Sequence, residues 1–293
     1  MVDVRPRPVR LTRELPVLSL NTNMSALMAS RYLGQTESAL AITRARLSSG
    51  LRVNSARDDA AGLAISERLM AQIRGTDVAA RNANVAISMA QIGDSAVGAV
   101  VDALQRMNEL AVDAADVNMT TNERTAAEAE FDLLQADVAN LVANTEYDGT
   151  TLLATNFQMA FQVGPNAGQT IQVAVDGLST SFASLPGGGS LASLTLSSDS
   201  NATTAIARIA EALSIATGVQ AQWGAVQNRF DSVVSQLESS SLILTEARGR
   251  IVDADMAVEA SNLARLLLLQ DSAAAMLAQA NVQRRQVLSL LLS

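Results

Sequence analysis

The chain has 293 residues with a net charge of −8, and it contains no Cys, no His and, among its 21 basic residues, no Lys. These absences exclude disulfides, thiolate or imidazole chemistry and lysine Schiff bases, and the acidic balance without a basic stripe argues against nucleic-acid binding. Apolar residues make up 48% of the chain but aromatic residues only 3%, a balance that favours long, closely packed helices.

Residues 1–16 form an arginine-rich N-terminal extension, with Arg5, Arg7, Arg10 and Arg13 among the first 13 residues and one acid, Asp3, in the same stretch. No apolar run follows it, so we expect no Sec-type signal peptide. Charged residues interrupt the apolar runs elsewhere, so we also expect no membrane span.

The five prolines leave two long stretches, 17–164 and 187–293, almost free of helix breakers. Leu33, Leu40 and Leu47 recur every seven residues in the first stretch. Two longer series alternate steps of four and three residues, the pattern of a coiled-coil seam, the line along which two helices pack. They are Val85, Met89, Ile92, Ala96, Ala99, Ala103, Arg106 and Leu110, and then Phe230, Val234, Leu237, Ser241, Leu244, Arg248 and Ile251.

Helix breaks are predicted at 48–59 and at 116–122, with a third helix over about 122–142, closed by residues 144–149. Within the first break, Ser55 followed three residues later by Asp58 resembles a capping box that opens the next helix.

Between Phe157 and Val175 the apolar period changes to two, which predicts a β-hairpin over 157–175 with a five-residue loop at 164–168. Residues 177–204 are rich in Ser, Thr, Gly and Leu, and we expect them to be the least structured part of the chain and to face outward.

The C-terminal helix is apolar on two faces, so one partner helix does not satisfy it. The N-terminal helix would cover one face, and self-association is the simplest source of cover for the other. The alternative is an ordinary buried helix in a larger core. The first face carries Leu266, Leu269, Ala273, Met276, Ala280, Val287 and Leu290; the second carries Leu263, Leu267, Leu277, Leu288, Leu291 and Leu292.

At both ends the sequence resembles bacterial flagellin. The resemblance rests on LNTN at 20–23, LSSGLRVNSARDDAAG at 47–62, RNAN at 81–84 and LAQAN at 277–281. It implies a mainly α fold, an elongated rod of long coiled-coil-like helices from both chain ends with a small β-hairpin region.

The same resemblance implies a division of the chain. Residues 17–60 and 254–293 would form the terminal coiled-coil domain in the inner filament core. Residues 61–176 and 205–253 would form a helical rod domain with the hairpin, and 177–204 would be a short loop in place of outer domains. The predicted function is that of a structural subunit that polymerises into the extracellular flagellar filament used for motility.

The residues expected to pack between subunits come from both terminal helices: Leu33, Leu40, Leu47, Leu266, Leu269, Met276, Leu277, Val287, Leu288 and Leu291. The resemblance also implies export by the flagellar type III system and, as partners, an export chaperone, cap proteins and hook-junction proteins.

Arg106, Leu110 and Glu130 match the surface of some family members that the innate receptor TLR5 recognises. The alternative for Arg106 is a buried, paired arginine of the coiled-coil seam, because it belongs to the first 4/3 series.

Two alternative functions fit the sequence less well. An enzyme is disfavoured because no nucleophile–base pair can be named, and Asp58–Asp59 and Asp253/Asp255 suit helix caps better; no catalytic, metal or cofactor site is predicted. A junction protein or adhesin is disfavoured because the C-terminal segment Leu277–Leu291 suits a filament flagellin and no binding domain is present.

Overall fold

The computed structural model describes residues 22–186 and 188–292, without the side chains of 284 and 287–292. The chain divides into two compact units. Unit 1 comprises the residues up to Ile65 and those from Arg250 onward, and unit 2 comprises Ser66–Gly249. The extension at 1–16 lies outside the described residues.

In unit 1, helix α1 (Met24–Ser49) packs against helix α6 (Met256–Leu292). The side-chain oxygen of Asn23 caps the start of α1 by accepting a hydrogen bond from the Ala26 N–H at 3.0 Å. Gly50 ends the helix in the left-handed region, at a φ of 74°, which glycine adopts at little cost.

A short backbone bridge joins the segments beside these two helices. Leu51 and Asp253 form an antiparallel β-bridge. Arg52 N–H donates to the Val252 carbonyl at 2.7 Å, and Ala254 N–H donates to the Gly50 carbonyl at 2.9 Å. These bonds satisfy main-chain groups that would otherwise be left unpaired where α1 ends and α6 begins.

The predicted capping role of Ser55 is wrong. Helix α2 (Ala60–Ala114) is capped by the preceding residue, Asp59, whose Oδ1 accepts a hydrogen bond from the Gly62 N–H at 2.8 Å. Asp58 instead accepts from the N–H and the hydroxyl of Ser55, both at 2.9 Å. The Ser55 hydroxyl bond, more than any other contact, lowers the pKa of Asp58. Ser55 therefore belongs to the turn, because Asp59 and not Ser55 stands directly before the first residue of α2, where a side-chain oxygen reaches the free N–H groups.

Unit 2 has a core built from α2, α3 (Thr121–Asn144), α5 (Asp199–Val252) and the elements between them. The seam predicted on α2 is displaced by one residue. Of the predicted members, Val85, Ile92, Ala99 and Arg106 are exposed, Ala96 and Ala103 are half-buried, and Met89 and Leu110 are buried. The buried line is Ala79, Ala83, Ala86, Ala90, Gly93, Val97, Val100, Leu104, Met107, Ala111 and Ala114.

Both α2 series have the same period and both are mostly apolar, so spacing alone does not separate them. From Val97 onward the core selects the line that carries Val97, Val100, Leu104 and Met107, because burying larger side chains removes more apolar area from water. Before it, the buried line is the smaller one, and the absence of a side chain at Gly93 leaves room for the ring of Trp223. By length and composition α2 could also cross a membrane. One face of α2 is packed in the core of unit 2, and a helix that packs in a core is apolar enough to meet the same criterion of length and composition.

The seam predicted on α5 agrees with the observed burial. Phe230 and Leu237 are buried, and the other members of the series are half-buried. The same 4/3 line extends towards the start of the helix through Ala202, Ala205, Ile209, Ala212, Ala216, Val219 and Trp223, all of them buried.

The turn before α3 is a capping box that sequence reasoning missed. Thr120 caps the helix, and its N–H and hydroxyl donate to the Glu123 carboxylate at 2.9 and 2.7 Å. The hydroxyl bond is the main reason that the pKa of Glu123 lies below its ordinary value. The signal was present as Thr-x-x-Glu at 120–123.

The β-hairpin prediction is confirmed. Strands β3 (Phe157–Gln162) and β4 (Thr170–Val175) pair antiparallel, and Val163 N–H donates to the Gln169 carbonyl at 2.8 Å, which leaves five residues in the loop. A second hairpin, β1 (Glu146–Tyr147) with β2 (Thr150–Thr151), was missed. Its turn is Asp148-Gly149, both with positive φ, the sequence that favours a tight hairpin turn.

Residues 177–204 differ from expectation because much of this segment is ordered and inward-facing. It contains α4 (Leu178–Ala183), a 3₁₀ turn (Leu191–Ser193) and the start of α5. Its larger apolar side chains join the core of unit 2, namely Leu178, Phe182, Leu185, Leu191 and Leu196. Polar composition predicted a loop, but these widely spaced apolar residues are enough to hold the segment on the core, while most of its described polar residues remain exposed as expected.

Candidate assembly surface

The two helices of unit 1 meet along one apolar seam. On α1, Leu40 is 2% exposed, and Leu33 and Leu47 are half-buried. On α6, the inward positions follow a single 4/3 series: Glu259, Leu263, Leu266, Gln270, Ala273, Leu277 and Ala280. This series combines members of both predicted faces of α6, because the true inward line runs between them.

Two polar contacts mark the ends of this seam. Asn23 Nδ2 donates to the Ala280 carbonyl at 3.1 Å, and Arg46 Nη1 donates to Glu259 Oε1 at 3.1 Å. The first lies at the start of α1 and the second near its end, so α1 and α6 run antiparallel with one defined register.

Glu259 is a carboxylate inside a mostly apolar seam, in which Gln270 is another polar residue on α6. Glu259 is 7% exposed, and the structure places Arg46 as its hydrogen-bond donor. Its second oxygen, Oε2, is buried and has no partner among the described residues. A buried charge is costly unless it is paired, so the carboxylate depends on Arg46.

Outside the seam, α1 and α6 expose many large apolar side chains. The most exposed are Tyr32 at 64%, Leu268 at 69% and Met276 at 64%. Solvated surfaces of this kind mark interaction sites. The others are Met24, Leu27, Met28 and Ile42 on α1, and Met256, Val258, Leu267, Leu269 and Val282 on α6.

The ten residues expected to pack between subunits therefore separate into groups. Leu269 and Met276 are exposed and available to another chain. Leu33, Leu40, Leu47, Leu266 and Leu277 lie in the α1–α6 seam of one chain; Leu40 is buried there and the other four are half-buried, so their packing between subunits stays a prediction. Leucine spacing alone does not distinguish a helix of the same chain from one of a neighbour. The side chains of Val287, Leu288 and Leu291 lie outside the described residues.

A separate surface in unit 2 contains Arg106, which is exposed and not a seam arginine. Its Nε donates to Glu130 Oε1 at 2.8 Å, and its Nη1 donates to Glu109 Oε2 at 2.9 Å. The hydrogen bonds to Glu109 and Glu130 raise the pKa of Arg106 above its ordinary value. Leu110 is only 5% exposed and belongs to the core, so little of its side chain is available at the surface beside Arg106 and Glu130.

The carboxylates considered as candidates for an enzyme site accept hydrogen bonds at helix starts and in turns. Asp255 Oδ1 accepts from Ala257 N–H and Val258 N–H at 2.9 and 3.1 Å, at the start of α6. Asp58 and Asp59 contact different groups, as described above. Within residues 22–186 and 188–292, no three His, Cys, Asp or Glu side chains come together where they could hold a metal ion.

Comparison with known proteins relates these units to one family. The model of the bacterial flagellin N-terminal helical region matches residues 20–158, and that of the C-terminal helical region matches 206–291. A flagellin of Halalkalibacterium halodurans is 36% identical over 93% of this chain and 99% of its own length. A flagellin of Bacillus subtilis is 34% identical over 94% of this chain and 100% of its own length.

Among solved structures, a putative flagellar hook-associated protein from Vibrio parahaemolyticus matches with a TM-score of 0.58. The match covers 67% of this chain and 100% of that one, at 11% sequence identity. At that identity the likeness concerns the fold alone.

Proposed function

The chain belongs to the bacterial flagellin family and is a structural subunit of the flagellar filament, and we propose that it polymerises through the exposed apolar side chains of α1 and α6. The observation that supports this is the exposure of twelve large apolar side chains on these two helices, Leu268 and Met276 above all. Packing against other copies would remove them from water, at roughly 1.5–3 kcal/mol for each fully buried side chain.

In this proposal residues 17–60 and 254–293 form the inner core of the filament, and 61–176 with 205–253 form the surrounding helical domain. The compactness of unit 1, with α1 and α6 as its main contact, supports the first part. The extensive buried core of unit 2 supports the second part, and the apolar side chains that this unit also exposes, such as Val117 and Leu242, are available for contacts in the surrounding layer.

Assembly of the purified chain tests the proposal. After removal of denaturant, we expect the chain to form long helical filaments above a critical concentration, because polymerisation stabilises the folded terminal helices by mass action. Electron microscopy and light scattering would detect them. Monomers that persist at every concentration would contradict the proposal.

The remaining partners are proposed from family membership. They are an export chaperone that binds the C-terminal helix, the cap and hook-junction proteins, and the type III apparatus that exports the chain to the extracellular filament. The prominent apolar face of α6 supports the chaperone, since such a face needs cover before assembly. Retention of the chain inside cells that lack the export apparatus is the expected result, and secretion in those cells would contradict it.

We also propose Arg106 and Glu130 as the contact for TLR5, without Leu110. The ion pair presents both side chains at the surface of unit 2, and arginine is prominent among residues that dominate binding energy at interfaces. We expect Arg106→Ala to weaken signalling in TLR5 reporter cells by roughly tenfold or more. Leu110→Val, a change in the core, should leave the signal unchanged, and equal signals from both variants, or none from the parent, would contradict the proposal.

A further inference from the structure

We propose that the contacts Asn23–Ala280 and Arg46–Glu259 set the register of α1 on α6 and thereby define the face that each subunit presents for assembly. The inference rests on the proposed function, since the register has this consequence only if α1 and α6 assemble with other copies. It assigns a positioning role to Asn23, Arg46 and Glu259.

The apolar seam by itself allows more than one register. Leu33, Leu40 and Leu47 are spaced by seven residues, so a slip of seven residues moves two of these three leucines onto the former positions of their neighbours. Seven residues are almost two full helical turns, so a slipped helix presents nearly the same face, displaced along its axis. The leucines of α1 therefore distinguish these registers poorly, although the slip does exchange Leu266 with Ala273 on α6.

The backbone bridge also does not select one register. The bridge between Leu51 and Asp253 uses main-chain N–H and C=O groups, and every residue other than proline carries both. Side chains are needed to specify which residues meet.

The two polar contacts exist in one register only. A seven-residue slip would place Ala39 or Val53 where Arg46 stands, and neither side chain can pair with the buried carboxylate of Glu259. The same slip would remove Asn23 from the Ala280 carbonyl. A polar group inside an apolar seam is an established means of specifying register, because every other alignment leaves it unpaired.

The register matters because exposed side chains from both helices make up the assembly surface. A seven-residue slip shifts α1 by roughly 10 Å along α6. The exposed residues of α1, such as Met28 and Tyr32, would then lie beside different residues of α6. Neighbouring subunits would meet a changed surface although each helix remained intact.

Cysteine cross-linking can read the register directly, because the chain has no native cysteine. Ala26 and Leu277 lie one turn along each helix from the Asn23–Ala280 contact and both face inward. The pair Ala26→Cys with Leu277→Cys therefore reports the native register. Ala26→Cys with Gln270→Cys and Leu33→Cys with Leu277→Cys report slips of one heptad in the two directions.

The test variant combines Asn23→Ser, Arg46→Leu and Glu259→Leu in each reporter background. Serine keeps the helix cap but lacks the amide donor, and the two leucines keep the seam apolar. We expect the native cross-link to fall about tenfold relative to a slipped one, which corresponds to 1.4 kcal/mol of register preference. The exchanged pair, Arg46→Glu with Glu259→Arg, should retain the native cross-link.

Gel mobility separates cross-links within a chain from those between chains, so the register is read independently of filament formation. An unchanged native cross-link in the test variant would overturn the proposal. If all three cross-links disappear and the helical circular dichroism signal is lost as well, the proposal is also overturned, since that result indicates a purely stabilising role. Failure of the parent chain to form filaments would instead refute the proposed function.

Discussion

Met276→Asp is expected to abolish filament formation while the chain remains folded. Met276 is 64% exposed and lies off the inward line of α6, so a charge there disturbs neither the seam nor the core of unit 2. In the filament the same position would lose roughly 1.5–3 kcal/mol of apolar burial and add the cost of desolvating an unpaired carboxylate. A loss of about 2.7 kcal/mol already raises the critical concentration about a hundredfold.

Sedimentation of filaments and circular dichroism of the monomer would measure this separation of assembly from folding. Met276→Leu is the matched control, because it preserves an apolar side chain of similar volume, and it should assemble like the parent. Normal filaments from Met276→Asp would show that this face of α6 stays solvated in the polymer. Collapse of the helical signal would instead place Met276 in the folding of the monomer.

Gly93→Ala is expected to destabilise unit 2, although alanine is the better helix former. A Cβ at Gly93 would lie 2.6 Å from Cε2 of Trp223, whose side chain is fully buried. That ring also packs against Phe157, with 5.7 Å between ring centroids, so it has little freedom to move. Overpacking costs roughly 1–3 kcal/mol, which exceeds the gain of about 0.5–1 kcal/mol from helix propensity.

Gly98→Ala is the matched control in the same helix, because the nearest atom to its new Cβ would be Gln220 Nε2 at 4.0 Å. It should raise the melting temperature as Gly93→Ala lowers it. Thermal unfolding followed by the fluorescence of Trp223, the chain's one tryptophan, would measure both effects. An increase in the melting temperature of both variants would contradict the prediction, because it would show that the indole ring of Trp223 can move aside without loss of stability.

The sequence predicted the location of the hairpin and of the α5 seam because both depend on local periodicity. Apolar and polar side chains alternate along most of Phe157–Gln162, as in a half-buried strand. Phe230 begins a 4/3 series whose members are all buried or half-buried. The α2 seam failed by one residue because two neighbouring series were almost equally apolar. The choice between Ala99 and Val100 depends on which side chains pack against them from α3, the hairpins and α5, and spacing along α2 contains no such information.

The sequence by itself determined that this is a mainly helical chain of flagellin type with more apolar helix surface than one partner can cover. Composition and period suffice for that, because helix formation and amphipathicity are local properties. Only the tertiary structure decided which surface is left over. It buried Leu40, placed the half-buried Leu277 in the seam with α1, left Leu269 and Met276 exposed, and buried Leu110 while Arg106 stayed exposed. The physical reason is that burial depends on the register between helices distant in the sequence, and here that register includes Arg46 and Glu259, which no apolar pattern reveals.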